Sequence, residues 1–184
     1  MAHIPEMRTQ RLVLRGWLPS DREPFAALNA DPVVMEHFPA PLTRVQSDAM
    51  IDSIVASWGE RGYGLWAVDV VATGEFIGFV GLNFPGFETP FEPAVEVGWR
   101  LAHRAWGQGY APEGALAALD FAWNELDLAE VQSWTATTNL NSQRVMSKIG
   151  MRHDPNDDYN HPRLPIGHPL RPHVRYRIRR PAEG

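Results

Sequence analysis

The chain has 184 residues, 44% of them hydrophobic and 21% charged, enough for one domain with a substantial core. No apolar run approaches the roughly 20 residues of a membrane helix, and Met1 to Gln10 shows no signal-peptide pattern, so a cytoplasmic protein without membrane contact is expected. A net charge of −5 disfavours binding to nucleic acid, and the absence of cysteine excludes disulfides, thiolate metal sites and a cysteine nucleophile.

Arg11 to Trp17 alternates as a first strand, with Leu12 and Leu14 on one side. Ser20-Asp21-Arg22-Glu23 and Thr43-Arg44-Val45-Gln46 both match the capping-box pattern and start helices running to about Asn29 and Glu60. Asp31-Pro32 breaks the first, with a short turn of helix to Glu36. The second places Val45, Met50, Ile54 and Trp58 inward, and Gly62 and Gly64 stop it. Leu65 to Val71 and Phe76 to Leu82 read as strands joined by the turn Ala72-Thr73-Gly74-Glu75. In the loop from Asn83 to Pro93, Phe84, Phe87 and Phe91 either pin the loop to the core or line a substrate mouth. Val95 to Leu101 is a central strand, and Pro112 to Leu126 a helix with Leu116, Leu119, Trp123 and Leu126 on one face. Glu130 to Thr137 is a strand. Asn141 or Ser142 begins a short helix with Val145, Met146 and Ile149 inward, Lys148 in its last turn and Gly150 just beyond. A proline-rich loop covers 154 to 172, and Val174 to Ile178 is the last strand. Six arginines and one acid, Glu183, from Arg163 onward predict a solvated terminal strand and tail. No repeat or linker divides the chain, so the expectation is one mixed α/β domain over residues 1–184.

Between the central strand and its helix lies Arg104-Ala105-Trp106-Gly107-Gln108-Gly109-Tyr110-Ala111. Nothing from Ala102 to Pro112 is Ser, Thr, Asp or Asn, so this helix lacks a side-chain N-cap. Free N–H groups at a helix start, behind glycines that permit close approach, suit an anion. The stretch has neither the Gly-Lys-Ser/Thr ending of a P-loop nor the third glycine of a dinucleotide fingerprint.

Arg-x-x-Gly-x-Gly, from Arg104 to Gly109, with its continuation Tyr110-Ala111-Pro112-Glu113-Gly114-Ala115, resembles the pyrophosphate-binding motif of the GNAT family of N-acetyltransferases. Thr9-Gln10-Arg11-Leu12-Val13-Leu14-Arg15 resembles the opening strand of the branch that includes the ribosomal-protein N-terminal acetyltransferases. Thr138-Asn139-Leu140-Asn141-Ser142-Gln143-Arg144-Val145 resembles the family's second cofactor segment. The resemblance runs over nearly the whole chain. It implies a GNAT fold, a mixed and mostly antiparallel sheet of about six to seven strands with about four helices. It implies acetyl-coenzyme A as co-substrate and a primary amine as acceptor, either a protein N-terminus or a small molecule such as an aminoglycoside, polyamine or amino acid. It also suggests a homodimer. A non-catalytic acyl-coenzyme A sensor is the rival from another class.

The same resemblance assigns contacts. Arg104 opens the motif, and backbone N–H groups of Trp106, Gly107, Gln108, Gly109, Tyr110 and Ala111 would hold the pyrophosphate. Trp99, Arg100 and Leu101 would pair with the pantetheine amides. Asn139, Asn141 and Ser142 would lie along the coenzyme arm, with the Ser142 hydroxyl reaching the leaving thiolate.

Three further readings come from the residues themselves. Glu96 shares a strand face with Gly98 and Arg100, in a strand that should be apolar. It is therefore a candidate base with a raised pKa, or half of a buried ion pair with Arg100 or another cation. Glu113, in a first helical turn, reads as structural. Asp154, Asp157, Asp158, His161 and His168, with His153 and His173 flanking, match no metal-ligand spacing. No metal is expected there; the loop should cover the substrate mouth, its acids attracting a protonated amine.

Overall fold

The computed structural model describes residues 4–86 and 95–182. Its strands are β1 (Met7–Arg8), β2 (Leu12–Arg15), β3 (Leu65–Val70), β4 (Glu75–Asn83), β5 (Glu96–Leu101), β6 (Glu130–Ala136), β7 (Arg152–His153), β8 (Tyr159–Asn160) and β9 (Pro172–Arg179). They form one open sheet in the order β1-β2-β3-β4-β5-β6-β9-β7, with β8 also on β9. All pairs are antiparallel except β5 with β6. The α/β class and the mostly antiparallel mixed sheet are as expected. The nine strands exceed the expected six to seven because β1, β7 and β8 are two-residue strands, too short to leave a periodic signal.

The helices are α1 (Arg22–Ala30), α2 (Arg44–Arg61), α3 (Tyr110–Asn124) and α4 (Leu140–Lys148). Thr43 caps α2 as predicted: its hydroxyl accepts the Gln46 N–H, and the Gln46 side chain accepts the Thr43 N–H at 2.8 Å. The inward row of α2 is Ser47, Ile51, Ile54 and Trp58, at helical spacing. Val45 lies two residues off that row and is 77% exposed, contrary to expectation.

Ser20 does not cap α1. Pro19 to Asp21 form a turn of 3-10 helix first, and the Asp21 carboxylate accepts the Leu18 N–H while pairing with Arg15. The start of α4 is also corrected. Asn139 is the cap, its side-chain oxygen accepting the Ser142 N–H at 3.2 Å, so Leu140 is the first helical residue. α3 begins at Tyr110 and packs with its small residues, Gly114, Ala115, Ala118 and Ala122, beside Leu119 and Trp123. Leu116 therefore turns outward and is 46% exposed.

Two aromatic clusters seat the helices. Phe25 of α1 meets Trp17, Phe76 and Phe79, while Trp58 of α2 meets Trp66 and Phe121. The arginine-rich terminal strand is not a solvated edge. β9 lies between β6 and β7, and its arginines meet acids: Arg175 and Arg177 with Asp157, Arg179 with Glu130. Phe84 is 40% exposed under the Arg61 guanidinium of α2; Phe87 and Phe91 lie outside the described residues. Among the described residues no helix is long and apolar enough to cross a membrane.

Candidate active site

β5 organises the site through its two edges. Along one edge it pairs with β4 over six residues, from Asn83↔Glu96 to Gly78↔Leu101. Along the other it meets β6 at a single position, Glu96↔Gln132. Beyond that pair the strands part, and a cavity of about 700 Å³ opens between them. An open strand edge carries unpaired backbone groups, the kind of partner that the amides of a pantetheine arm need.

Three predicted groups meet in this cavity. Glu96, Trp99, Arg100 and Leu101 line it from β5; Trp106, Gly107, Gly109, Tyr110 and Ala111 from the glycine turn; Asn139, Asn141 and Ser142 from the start of α4. One predicted contact is placed elsewhere: the Arg104 side chain turns away to Glu75 at 2.6 Å and to the Phe76 carbonyl. Gln108, predicted to contribute only its backbone N–H, is exposed in the turn, with its carbonyl accepting from Arg11. The Leu101 carbonyl is also taken, by the Trp106 indole N–H at 2.8 Å.

The start of α3 has Gly109 at its cap position, in the left-handed region (φ 81°), and no side-chain cap. Gly107 is left-handed too (φ 74°). Side chains other than glycine rarely adopt this conformation. Arg11 and Glu113 brace the turn from behind. Glu113 accepts from Thr9, from the Arg11 backbone and from the Arg11 side chain, and Arg11 in turn donates to the Gln108 carbonyl. Partial burial works against the Glu113 charge, but these donors hold its carboxyl below the usual range. Its role is structural, as the sequence suggested.

Glu96 sits at the narrow end of the wedge. Burial pushes its carboxyl up to about 8, opposed by a long hydrogen bond from Asn83 at 3.4 Å. Among the described residues it makes no ion pair with Arg100. A Cβ built on Gly98 would meet nothing within 4 Å, which leaves the floor beside Glu96 open. Across the wedge, the Ser142 hydroxyl makes no side-chain hydrogen bond among the described residues.

The loop acids are placed differently from expectation. Asp157 pairs with Arg175 and Arg177, Asp158 with His153 at 2.7 Å, and Asp154 caps a short turn; none of the three lines the cavity. The loop contributes His161, Arg163, Leu164 and Leu170 to the cavity instead. His161 and His173 stand ring to ring at 5.0 Å, and burial lowers both, His173 to about 4. Among the described residues no group of His, Asp or Glu is arranged to hold a metal. The sequence also gave no sign that Val34, His37 and Phe38, after α1, would close the far wall. That placement depends on how α1 and α2 pack, not on local pattern.

The family model described as Acetyltransferase (GNAT) domain matches residues 11–152. The FsC-acetyl coenzyme A-N(2)-transacetylase of Aspergillus fumigatus is 35% identical over 158 residues, covering 81% of this chain and 66% of that protein. An acetyltransferase from Agrobacterium tumefaciens superposes with a TM-score of 0.77 at 30% identity, covering 96% of this chain and 95% of its own. RimL, a ribosomal L7/L12 alpha-N-protein acetyltransferase solved with coenzyme A, shares the fold at 15% identity and a TM-score of 0.75, over 95% of this chain and 98% of its own. With the wedge, the uncapped helix start and a family match over most of its length, the chain belongs to the GNAT family of acetyl-coenzyme A-dependent acetyltransferases.

Proposed function

We propose that residues 1–184 form one N-acetyltransferase domain that moves the acetyl group of acetyl-coenzyme A directly onto a primary amine. The observation that carries this reading is the convergence, in one cavity, of the uncapped α3 start, the open edge of β5, Glu96 and Ser142. The backbone from Trp106 to Ala111 holds the pyrophosphate, and the β5 edge near Trp99 orients the pantetheine arm. The amine nitrogen attacks the thioester carbon as Glu96, through water, takes its proton. The C–S bond then breaks, and Ser142 hydrogen-bonds or protonates the departing sulfur. Both substrates are bound together, so no acyl-enzyme forms.

The acceptor is a small amine in this reading. An enclosing wall from the turn after α1 and the loop before β9 favours it over a protein N-terminus. The fold likeness to RimL keeps a protein N-terminus as the second reading. Coenzyme A release measured over small amines and N-terminal peptides decides between them, and release with none of them leaves an acyl-coenzyme A sensor. The cofactor half has its own test. Gly109→Val puts a branched side chain at φ 81°, 3.3 Å from the Arg11 guanidinium. Calorimetry should show acetyl-coenzyme A affinity lost in a folded variant; retained affinity would remove the pyrophosphate assignment.

A further inference from the structure

Arg100 is 9% exposed and lines the cavity from near the C-terminal end of β5. Its Nη1 donates to Asn29 Oδ1 at 2.7 Å and approaches Met50 Sδ at 3.8 Å. Its buried Nε has no acceptor, and among the described residues no carboxylate forms a salt bridge with it. Asn29 is fixed in turn by the Ser47 hydroxyl at 2.9 Å, and both are fully buried. The Phe38 and Phe79 rings flank the guanidinium, 4.2 and 5.5 Å from its carbon.

A buried charge normally finds a counter-charge, because desolvation without one is costly. Here the fold supplies a neutral amide and two aromatic rings, which orient the cation and leave its charge unmatched. Around the cavity Arg144, Lys148 and Arg163 stand against the carboxyls Glu36 and Glu96, and the Glu36 side chain is 68% exposed to solvent. The one carboxyl on this strand face, Glu96, lies four residues away, roughly 13 Å along the strand, and burial favours its neutral form.

From these contacts we infer that Arg100 is the binding site for a carboxylate on the acceptor, so that the substrate is an amine carrying its carboxylate on a spacer of several carbons. The Arg100 Nη1 is held by Asn29 and its Nε is sealed, but Nη2 makes no hydrogen bond among the described residues and faces the cavity side, where a charged carboxylate is the strongest acceptor it can meet. The distance between Arg100 and Glu96 favours an ω-amino carboxylate over an α-amino acid, whose two groups are too close to reach both. The inference rests on the acetyltransferase reading only for where the amine points; the anion site itself can be tested by binding.

The probes are 6-aminohexanoate and its neutral match, 6-aminohexanamide, titrated calorimetrically into the coenzyme A-loaded protein. The carboxylate should bind at least about tenfold more tightly, the typical effect of a hydrogen bond to a charged group. Arg100→Met should abolish the preference. Asn29→Asp, which keeps Arg100 but gives it an internal carboxylate, should abolish it too, and it protects the test should Arg100→Met fail to fold. Equal affinities, no binding of either probe, or a preference surviving in both variants would overturn the assignment. Coenzyme A release is read in parallel. A carboxylate preference without acetyl transfer would leave the Arg100 site standing and sink the transferase reading; transfer without preference would do the reverse.

Discussion

The two faces of β5 carry opposite residue types along the same six positions. On one, Val97 and Leu101 are 0% and 4% exposed and belong to the continuous core. On the other, Glu96, Gly98 and Arg100 present a carboxyl, an absent side chain and a cation to the cavity. A strand covered on both faces is expected to be apolar throughout. The contrast shows that β4 and α3 hold β5 through one edge and one face, while the other face, under α1 and α2, carries the groups that cost stability. The predictions separate these two duties.

The largest effect belongs to Glu96→Gln. If Glu96 is the base, kcat at neutral pH falls by roughly 10²- to 10⁴-fold while acetyl-coenzyme A still binds. Wild-type activity should climb as pH rises through about 8, where the carboxyl ionises. The variant should lack that limb, and its deficit should shrink at still higher pH, where more of the amine arrives neutral. Stability provides an independent reading. The folded carboxyl keeps its proton up to about 8, whereas an ordinary one loses it at 4.5. Between those values the folded state binds more protons, so this group lowers stability progressively as pH rises, and its full cost stands above about 8. Glu96→Gln should therefore gain in Tm over the wild type from pH 5 to pH 9. A variant with wild-type kcat and pH profile would reduce Glu96 to a structural residue.

Val97→Ala tests the other face. Removing two methyl groups from a fully buried site should cost about 2 kcal/mol in chemical denaturation. Turnover per folded molecule should stay at the wild-type level, because Val97 does not line the cavity. A kcat loss as large as that of Glu96→Gln would show that the two faces are not separable.

What could be read in advance follows the range of the forces involved. The uncapped start of α3 and the misplaced carboxyl of Glu96 are local anomalies, a missing cap and a charge in an apolar strand, and both were legible. So was the capping box at Thr43. The same pattern failed at Ser20, because Asp21 is drawn to Arg15, six residues earlier. The loop acids looked available in sequence, but Asp157 answers Arg175 and Arg177 of β9 and Asp158 answers His153 of β7, pairings set by the sheet and not by spacing. The parting of β5 from β6, which makes the cavity, comes from their having one paired position and leaves no trace in either strand's own residues. Arg100 was read for its backbone, or as a partner for Glu96. Only the packing of α1 and α2 shows that its guanidinium has Asn29 for company and no acid.

The smallest effect is expected at Ser142, on the wall facing Glu96, and it sharpens the comparison because the substitution is clean. The Asn139 side chain caps α4 through the Ser142 backbone N–H, which alanine retains. Ser142→Ala therefore removes a hydroxyl and leaves the cap, so Tm should hardly move. Asn139→Ala, by contrast, should lose about 1 kcal/mol of stability with the cap. If the hydroxyl stabilises the departing sulfur, its loss deletes one hydrogen bond that water can partly replace. That corresponds to a fall in kcat of roughly two- to tenfold with KM for acetyl-coenzyme A unchanged. Ser142→Thr, which restores a hydroxyl, should recover most of it. A kcat that stays at the wild-type value in Ser142→Ala would assign sulfur protonation to solvent and leave Glu96 as the one side chain on which the chemical step depends.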